Sequence, residues 1–182
     1  MTFSIIARCP RTGQFGVAAA TAMPAVGKLL THAAAHVGAV ATQAQINPYL
    51  GIDGLRFLRE FSPAGEALER LRRTDPCMEL RQCAVIDSSG RTACWTGERC
   101  LPWAGSIAGD AEGGDRHGES SATVYVVDQE QYPLWDIRVD HHRDPFAELR
   151  RLHEVFAREV VPEILAMPTR ANPAGAAGEE TI

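Results

Sequence analysis

Apolar and polar residues alternate from the first positions of the chain. Phe3, Ile5 and Ala7 are interleaved with Ser4 and Ile6, a period of two that predicts a strand. Pro10 suits a turn entry and Gly13 a reversal, after which Phe15–Ala20 run back, so residues 2–21 are expected to form a hairpin. Val37–Thr42 predicts another strand of small residues. The period then changes. Leu55 and Leu58 mark the inner face of a short helix that ends at Phe61 and Ser62. Ala64, Ala67, Leu68 and Leu71 fall at i, i+3, i+4 and i+7 and predict a second helix. Ser62 is the expected cap, Pro63 fits the first turn, and Arg72 and Arg73 sit where the helix dipole favours cations.

Two more hairpins follow. Cys83–Ile86 and Arg91–Thr96 flank the turn residues Asp87–Gly90, and Thr123–Val127 and Leu134–Val139 flank a polar loop. In the last strand Trp135, Ile137 and Val139 share one face, opposite Asp136 and Arg138. Asp144 and Pro145 then open a helix with Phe146, Leu149, Leu152 and Phe156 as its apolar stripe. From Pro168 the composition turns to Ala, Gly, Pro, Asn and Glu, which predicts a disordered tail over residues 168–182 behind a single domain over 1–167. Three hairpins with helices between and after them predict an α+β fold of layered sheets.

Composition narrows the function. The 182 residues carry 18 Lys+Arg against 23 Asp+Glu, a formal charge of −5, so no nucleic-acid or anionic-membrane partner is expected. No window approaches the roughly 20 apolar residues of a membrane span, and the apolar run at residues 3–7 is too short for a signal-peptide core. The five cysteines form no C-x-x-C pair, which fits a cytoplasmic protein with reduced thiols.

Several residues could carry chemistry. Methionine is usually trimmed before a residue as small as Thr2, and a free Thr2 would hold a hydroxyl and an α-amine on adjacent atoms. The reference pKa of such an amine, about 7.7–8.0, leaves an appreciable neutral fraction to act as base for the hydroxyl. Gln43 and Asn47 are amides that could position a polar substrate, although a strand end followed by an Asn-Pro turn accounts for Asn47 equally well. In the glycine-rich segment Gly113–Ala122, Asp115, Arg116 and Ser121 could orient a ligand, and a plain loop leading into a strand is the alternative. Adjacent His141 and His142 point to opposite faces of an extended chain, and Asp144 reads as a helix cap, so no metal site is expected. No Ser-His-Asp or Cys-His arrangement is legible.

Taken in order, Thr2-Phe-Ser-Ile-Ile-Ala-Arg8, Gly16-Val-Ala18, Ala25-Val-Gly27, Val37–Ala44, Asn47-Pro48, Asp75, Arg81-Gln82, Asp87, Gly90, Thr96-Gly97, Trp103-Ala-Gly105, Gly113-Gly-Asp115, Ser121-Ala122, Arg138-Val-Asp140, His142, Asp144-Pro145 and Glu148-Leu149 form a familiar series. The chain resembles the family called domain of unknown function ten-twenty-eight, grouped with the N-terminal nucleophile (Ntn) hydrolases. The resemblance implies an αββα four-layer sandwich and an amidohydrolase that cleaves a small amide C–N bond, with Thr2 at the nucleophile position and no cofactor. Gln43 or Asn47, with backbone amides, would stabilise the oxyanion, and Asp115 and Arg116 would orient substrate. Relatives carry a further segment between the Trp-Ala-Gly and Gly-Gly-Asp motifs, where Ser106–Glu112 here forms a direct link, so one helical segment is expected to be missing. His117 stands where relatives have arginine, and Ser120 where they often have glutamine. The shortened chain also fits a non-catalytic module that binds a small molecule or protein, and its exposed patch would suit a homodimer.

Overall fold

The first hairpin forms where the alternation places it. In a computed structural model describing residues 2–25, 27–102, 104–108, 120–173 and 175, β1 (Thr2–Arg8) pairs antiparallel with β2 (Phe15–Thr21). Thr2 lies opposite Thr21 and Arg8 opposite Phe15. The Cys9 amide donates to Gln14 O at 2.9 Å and the Gly13 amide to Cys9 O at 2.8 Å, closing the turn. Gly13 has φ +79°, a left-handed conformation that a side chain would oppose.

Beyond a one-turn α1 (Gly27–Leu30), the chain forms β3 (Thr31–Ala34) and β4 (Gly38–Ala44), then α2 (Pro48–Arg59) and α3 (Ala64–Thr74). A 3₁₀ turn at Met78–Leu80 leads into β5 (Arg81–Asp87) and β6 (Thr92–Thr96). β7 (Ser121–Val127), β8 (Pro133–Val139), α4 (Pro145–Glu159) and the short α5 (Val161–Leu165) follow. The protein is therefore α+β, with two antiparallel four-stranded sheets of order β1-β2-β7-β8 and β3-β4-β5-β6.

Alternation along each strand decides what lies between and outside the sheets. Phe15, Val17, Ala19 and Val127 of the first sheet meet Ala39, Ala41 and Ile86 of the second, with Leu30 of α1 beside them, in one buried cluster. On the other face of the second sheet Val40, Cys83 and Val85 meet Leu50, Leu55, Phe57, Leu58, Ala67, Leu68 and Leu71 of α2 and α3 in another. α4 packs on the outer face of the first sheet, where Trp135 stacks on His153 and Phe156 at 4.7 and 5.5 Å and Phe3 on Phe146 at 6.2 Å. That cover is partial. Ile5, on the same face of the edge strand β1, keeps 49% of its surface exposed.

Some local expectations give way to longer-range ones. Ser62 does not cap α3. Pro63 is the residue before the helix, with no side-chain cap bond, and the Ala64 amide instead donates to Asp87 Oδ2 of β5 at 3.1 Å. The Ser62 hydroxyl accepts from Arg70 at 3.1 Å. A buried carboxylate brought up by the sheet supplies the negative charge that the helix start favours. The first helix also starts earlier than Leu55 indicates, at Pro48, because Asn47 caps it. β3 and α1 are four residues each, too short to register as a period. Asp144 does cap α4, its Oδ1 accepting from the Ala147 amide at 3.1 Å.

In the segment expected to be a tail, Pro168 O accepts from Tyr132 Oη at 3.2 Å and Arg170 donates to Gln131 at 3.2 Å. The residues after 173, apart from Gly175, lie outside the described part of the chain. Among the described residues no helix is long and apolar enough to cross a membrane.

Candidate functional site

The hairpin register puts Thr2 and Thr21 side by side on the face of the first sheet that looks toward the second. Their hydroxyl oxygens are 2.7 Å apart, a hydrogen bond in which either can donate. Thr21 is buried, 3% exposed, and its oxygen also accepts from the Met23 amide at 3.4 Å. Thr2 itself is half-buried.

Two residues further along β1, Ser4 points into the same gap and donates to Gln43 Oε1 of β4 at 2.8 Å. Gln43 Nε2 donates to Gln82 Oε1 at 3.1 Å, and Gln82 Nε2 donates to Thr96 Oγ1 and to Gly105 O, both at 3.2 Å. Gln43 and Gln82 are register partners on adjacent strands, and Gln82 and Thr96 are likewise. A continuous polar seam therefore runs from β1 across β4 and β5 to β6. It replaces the apolar packing found deeper between the sheets, because buried amides and hydroxyls must find partners. One of the two Gln43 amide protons is committed to Gln82.

The remaining sequence candidates fall in different places. Ser121 lies opposite Thr21 on β7, completing a row Thr2-Thr21-Ser121 across three strands. It is 1% exposed, and its hydroxyl donates to Met23 O at 2.7 Å, pinning the chain as it leaves β2. Neighbouring Ser120 does the same to Ala22 O at 2.6 Å. Asn47 is not in the seam. Its Nδ2 donates to Asp75 Oδ2 at 2.7 Å and its Oδ1 accepts from the Tyr49 amide at 3.1 Å, so its amide is occupied at the start of α2. Asp115 and Arg116 lie outside the described residues. Among the described residues no group of three His, Cys, Asp or Glu side chains is placed to hold a metal ion.

The sequence pattern does not mark Thr21, Ser4 or Gln82 as site residues. Thr21 had a readable signal, since a hairpin that pairs Arg8 with Phe15 must also pair Thr2 with Thr21. Ser4 and Gln82 had none, because their link through Gln43 exists only once one sheet lies on the other.

Two facing antiparallel sheets with helices packed against them thus carry a hydrogen-bonded threonine pair beside a polar seam. The chain belongs to the family described as Family of unknown function (DUF1028), whose model matches residues 2–111 and 107–149. The two matched stretches meet in the segment where the chain is expected to be shortened. A Silicibacter pomeroyi protein of the same family, known from its crystal structure, superimposes with a TM-score of 0.84 over 96% of this chain and 98% of that one, at 22% sequence identity. No curated protein matches the chain.

Proposed function

We propose that the protein is an Ntn-type amidohydrolase that cleaves a small amide through Thr2. The supporting observation is the Thr2 hydroxyl, half-buried at the start of β1 and 2.7 Å from Thr21 Oγ1. Helices outside both sheets agree with the αββα sandwich that this reading requires. With Met1 removed, the Thr2 hydroxyl attacks the amide carbonyl carbon while the α-amine takes the hydroxyl proton. The C–N bond breaks, the proton passes to the leaving amine, and an ester to Thr2 remains. Water then attacks the ester, gives a proton to the α-amine, and releases the acid as that proton returns to the Thr2 oxygen. Gln43, with its second amide proton, and nearby backbone amides would stabilise the oxyanion, a contribution of about 3 kcal/mol per well-placed donor. Asp115 and Arg116 are assigned to substrate orientation. The α-amine must be neutral to act, so acylation should rise with pH up to about pH 8 and then level off.

Intact-mass spectrometry followed by incubation with an amide-mimicking electrophile tests the proposal. The expected result is protein lacking Met1 that gains one acyl group, with no gain in Thr2→Ala. Retention of Met1 in the purified protein, or equal labelling of Thr2→Ala, overturns the mechanism and leaves the binding-module reading in its place.

A further inference from the structure

A cleft opens on the face of the first sheet that carries Thr2, at the opposite edge. It has a volume of about 170 Å³ and is lined by Gly27, Thr31, Tyr125, Asp136 and Arg138. β8 is the edge strand, and its alternation turns Asp136 and Arg138 toward the second sheet while the buried Ile137 points the other way. Inward positions of the central strands include the apolar Phe15, Val17, Ala19 and Val127. Arg138 keeps 33% and Asp136 41% of its side chain exposed, so both charges stand at the open mouth of the cleft.

They are poor partners for each other. Arg138 Nε and Asp136 Oδ1 are 3.8 Å apart, against 2.6 Å for Arg151–Glu148 and 2.7 Å for Arg91–Asp87. Beyond that contact neither has a hydrogen-bond partner among the described residues, and the Tyr125 hydroxyl has none there either. Tyr125 stays a neutral donor at neutral pH, since burial and then the nearby Asp136 charge both raise its pKa. The Thr31 hydroxyl donates to Gly27 O at 2.6 Å, which leaves its oxygen as an acceptor. A Cβ on Gly27 would fall 2.9 Å from Thr123 Oγ1 and 3.0 Å from Arg138 Cδ, crowding both side chains.

We propose that this cleft binds a small zwitterion of the α-amino acid class, its carboxylate on Arg138 and Tyr125 and its ammonium on Asp136 and Thr31. A simple anion would meet the Asp136 charge and a simple cation the Arg138 charge, whereas a molecule carrying both satisfies the two groups together. The volume suits a single small molecule rather than a peptide. The site is independent of the hydrolase reading.

Thermal-shift and calorimetric titration of the intact chain with free L-α-amino acids, each matched with its N-acetyl and carboxamide forms, tests the proposal. At least one free amino acid should bind, and its two blocked forms should bind at least about tenfold more weakly. Arg138→Gln and Asp136→Asn should each weaken binding by a similar factor, Tyr125→Phe by less, and Thr2→Ala should bind as the wild type does. The blocked-analogue comparison uses wild-type protein and so stands even where a variant fails to fold. Absence of binding by every free amino acid, equal binding of the blocked forms, or loss of binding in Thr2→Ala overturns the assignment.

Discussion

Asn47 Nδ2 donates to Asp75 Oδ2 at 2.7 Å, so the residue that caps α2 also ties it to the C-terminal end of α3. Asp75 is buried and further accepts from the Cys77 amide at 2.8 Å and from Arg81 Nε at 3.1 Å, while Arg81 Nη1 reaches Gln45 O at 2.6 Å. Two stretches distant in sequence, residues 45–47 and 75–81, are joined around one carboxylate. Asn47→Ala removes the cap and one donor to Asp75, and should cost about 1–3 kcal/mol in denaturant unfolding while leaving Thr2 acylation intact.

Asp75 and Asp87 should both make stability depend on acid pH. Burial alone would raise each pKa, but the hydrogen bonds of Asn47, Cys77 and Arg81 to Asp75, and of Ala64, Arg91 and Ser89 to Asp87, outweigh it and hold both below the usual carboxylate range. A depressed native pKa means that the unfolded chain takes up protons first as pH falls. The stabilisation is complete above about pH 4 and is lost as pH drops toward the native pKa values. Urea unfolding at neutral pH and near pH 3 should show the loss, and Asp75→Asn should show a smaller difference between the two conditions than the wild type.

Gly51 of α2 leaves room for His32 of β3. A Cβ on Gly51 would lie 2.0 Å from His32 Cδ2, closer than atoms can pack. Gly51→Ala should therefore destabilise the protein by about 1–3 kcal/mol. Thermal melting of the His32→Ala/Gly51→Ala double variant should recover part of that loss, giving a non-additive cycle.

Phe61 closes the turn after α2 with φ +63° and 93% exposure, a conformation that glycine adopts freely and a bulky residue does not. The Phe61 amide donates to Leu58 O at 3.0 Å and the Ser62 amide to Phe57 O at 3.3 Å, which fixes this geometry. Phe61→Gly should stabilise the protein by about 0.5–1 kcal/mol, read as a raised Tm.

Thiol reactivity should separate Cys9 from Cys83. The Thr12 hydroxyl and the Thr12 and Arg11 amides lower the Cys9 pKa, whereas burial pushes Cys83 up to about 12. Alkylation followed by peptide mapping should label Cys9 early and leave Cys83 unmodified until the protein unfolds.

Much of the architecture follows from the chain read locally. A period of two is enough to place the hairpins, a period near four to place α3, and Asp144-Pro145 to start α4, because each depends on contacts within a few residues. Even the Thr2–Thr21 contact is implicit in the hairpin register. Residue type alone could not separate Gln43 from Asn47. Both are amides near the end of β4, and only the stacking of the sheets sends Gln43 to Ser4 while the packing of α2 on α3 sends Asn47 to Asp75. The same holds for Asp87, 23 positions from the helix start it caps, and for the inward pair Asp136–Arg138. Hydrogen bonds and ion pairs between distant segments are set by how faces meet, and that is decided by burying the two apolar clusters together rather than by any local pattern.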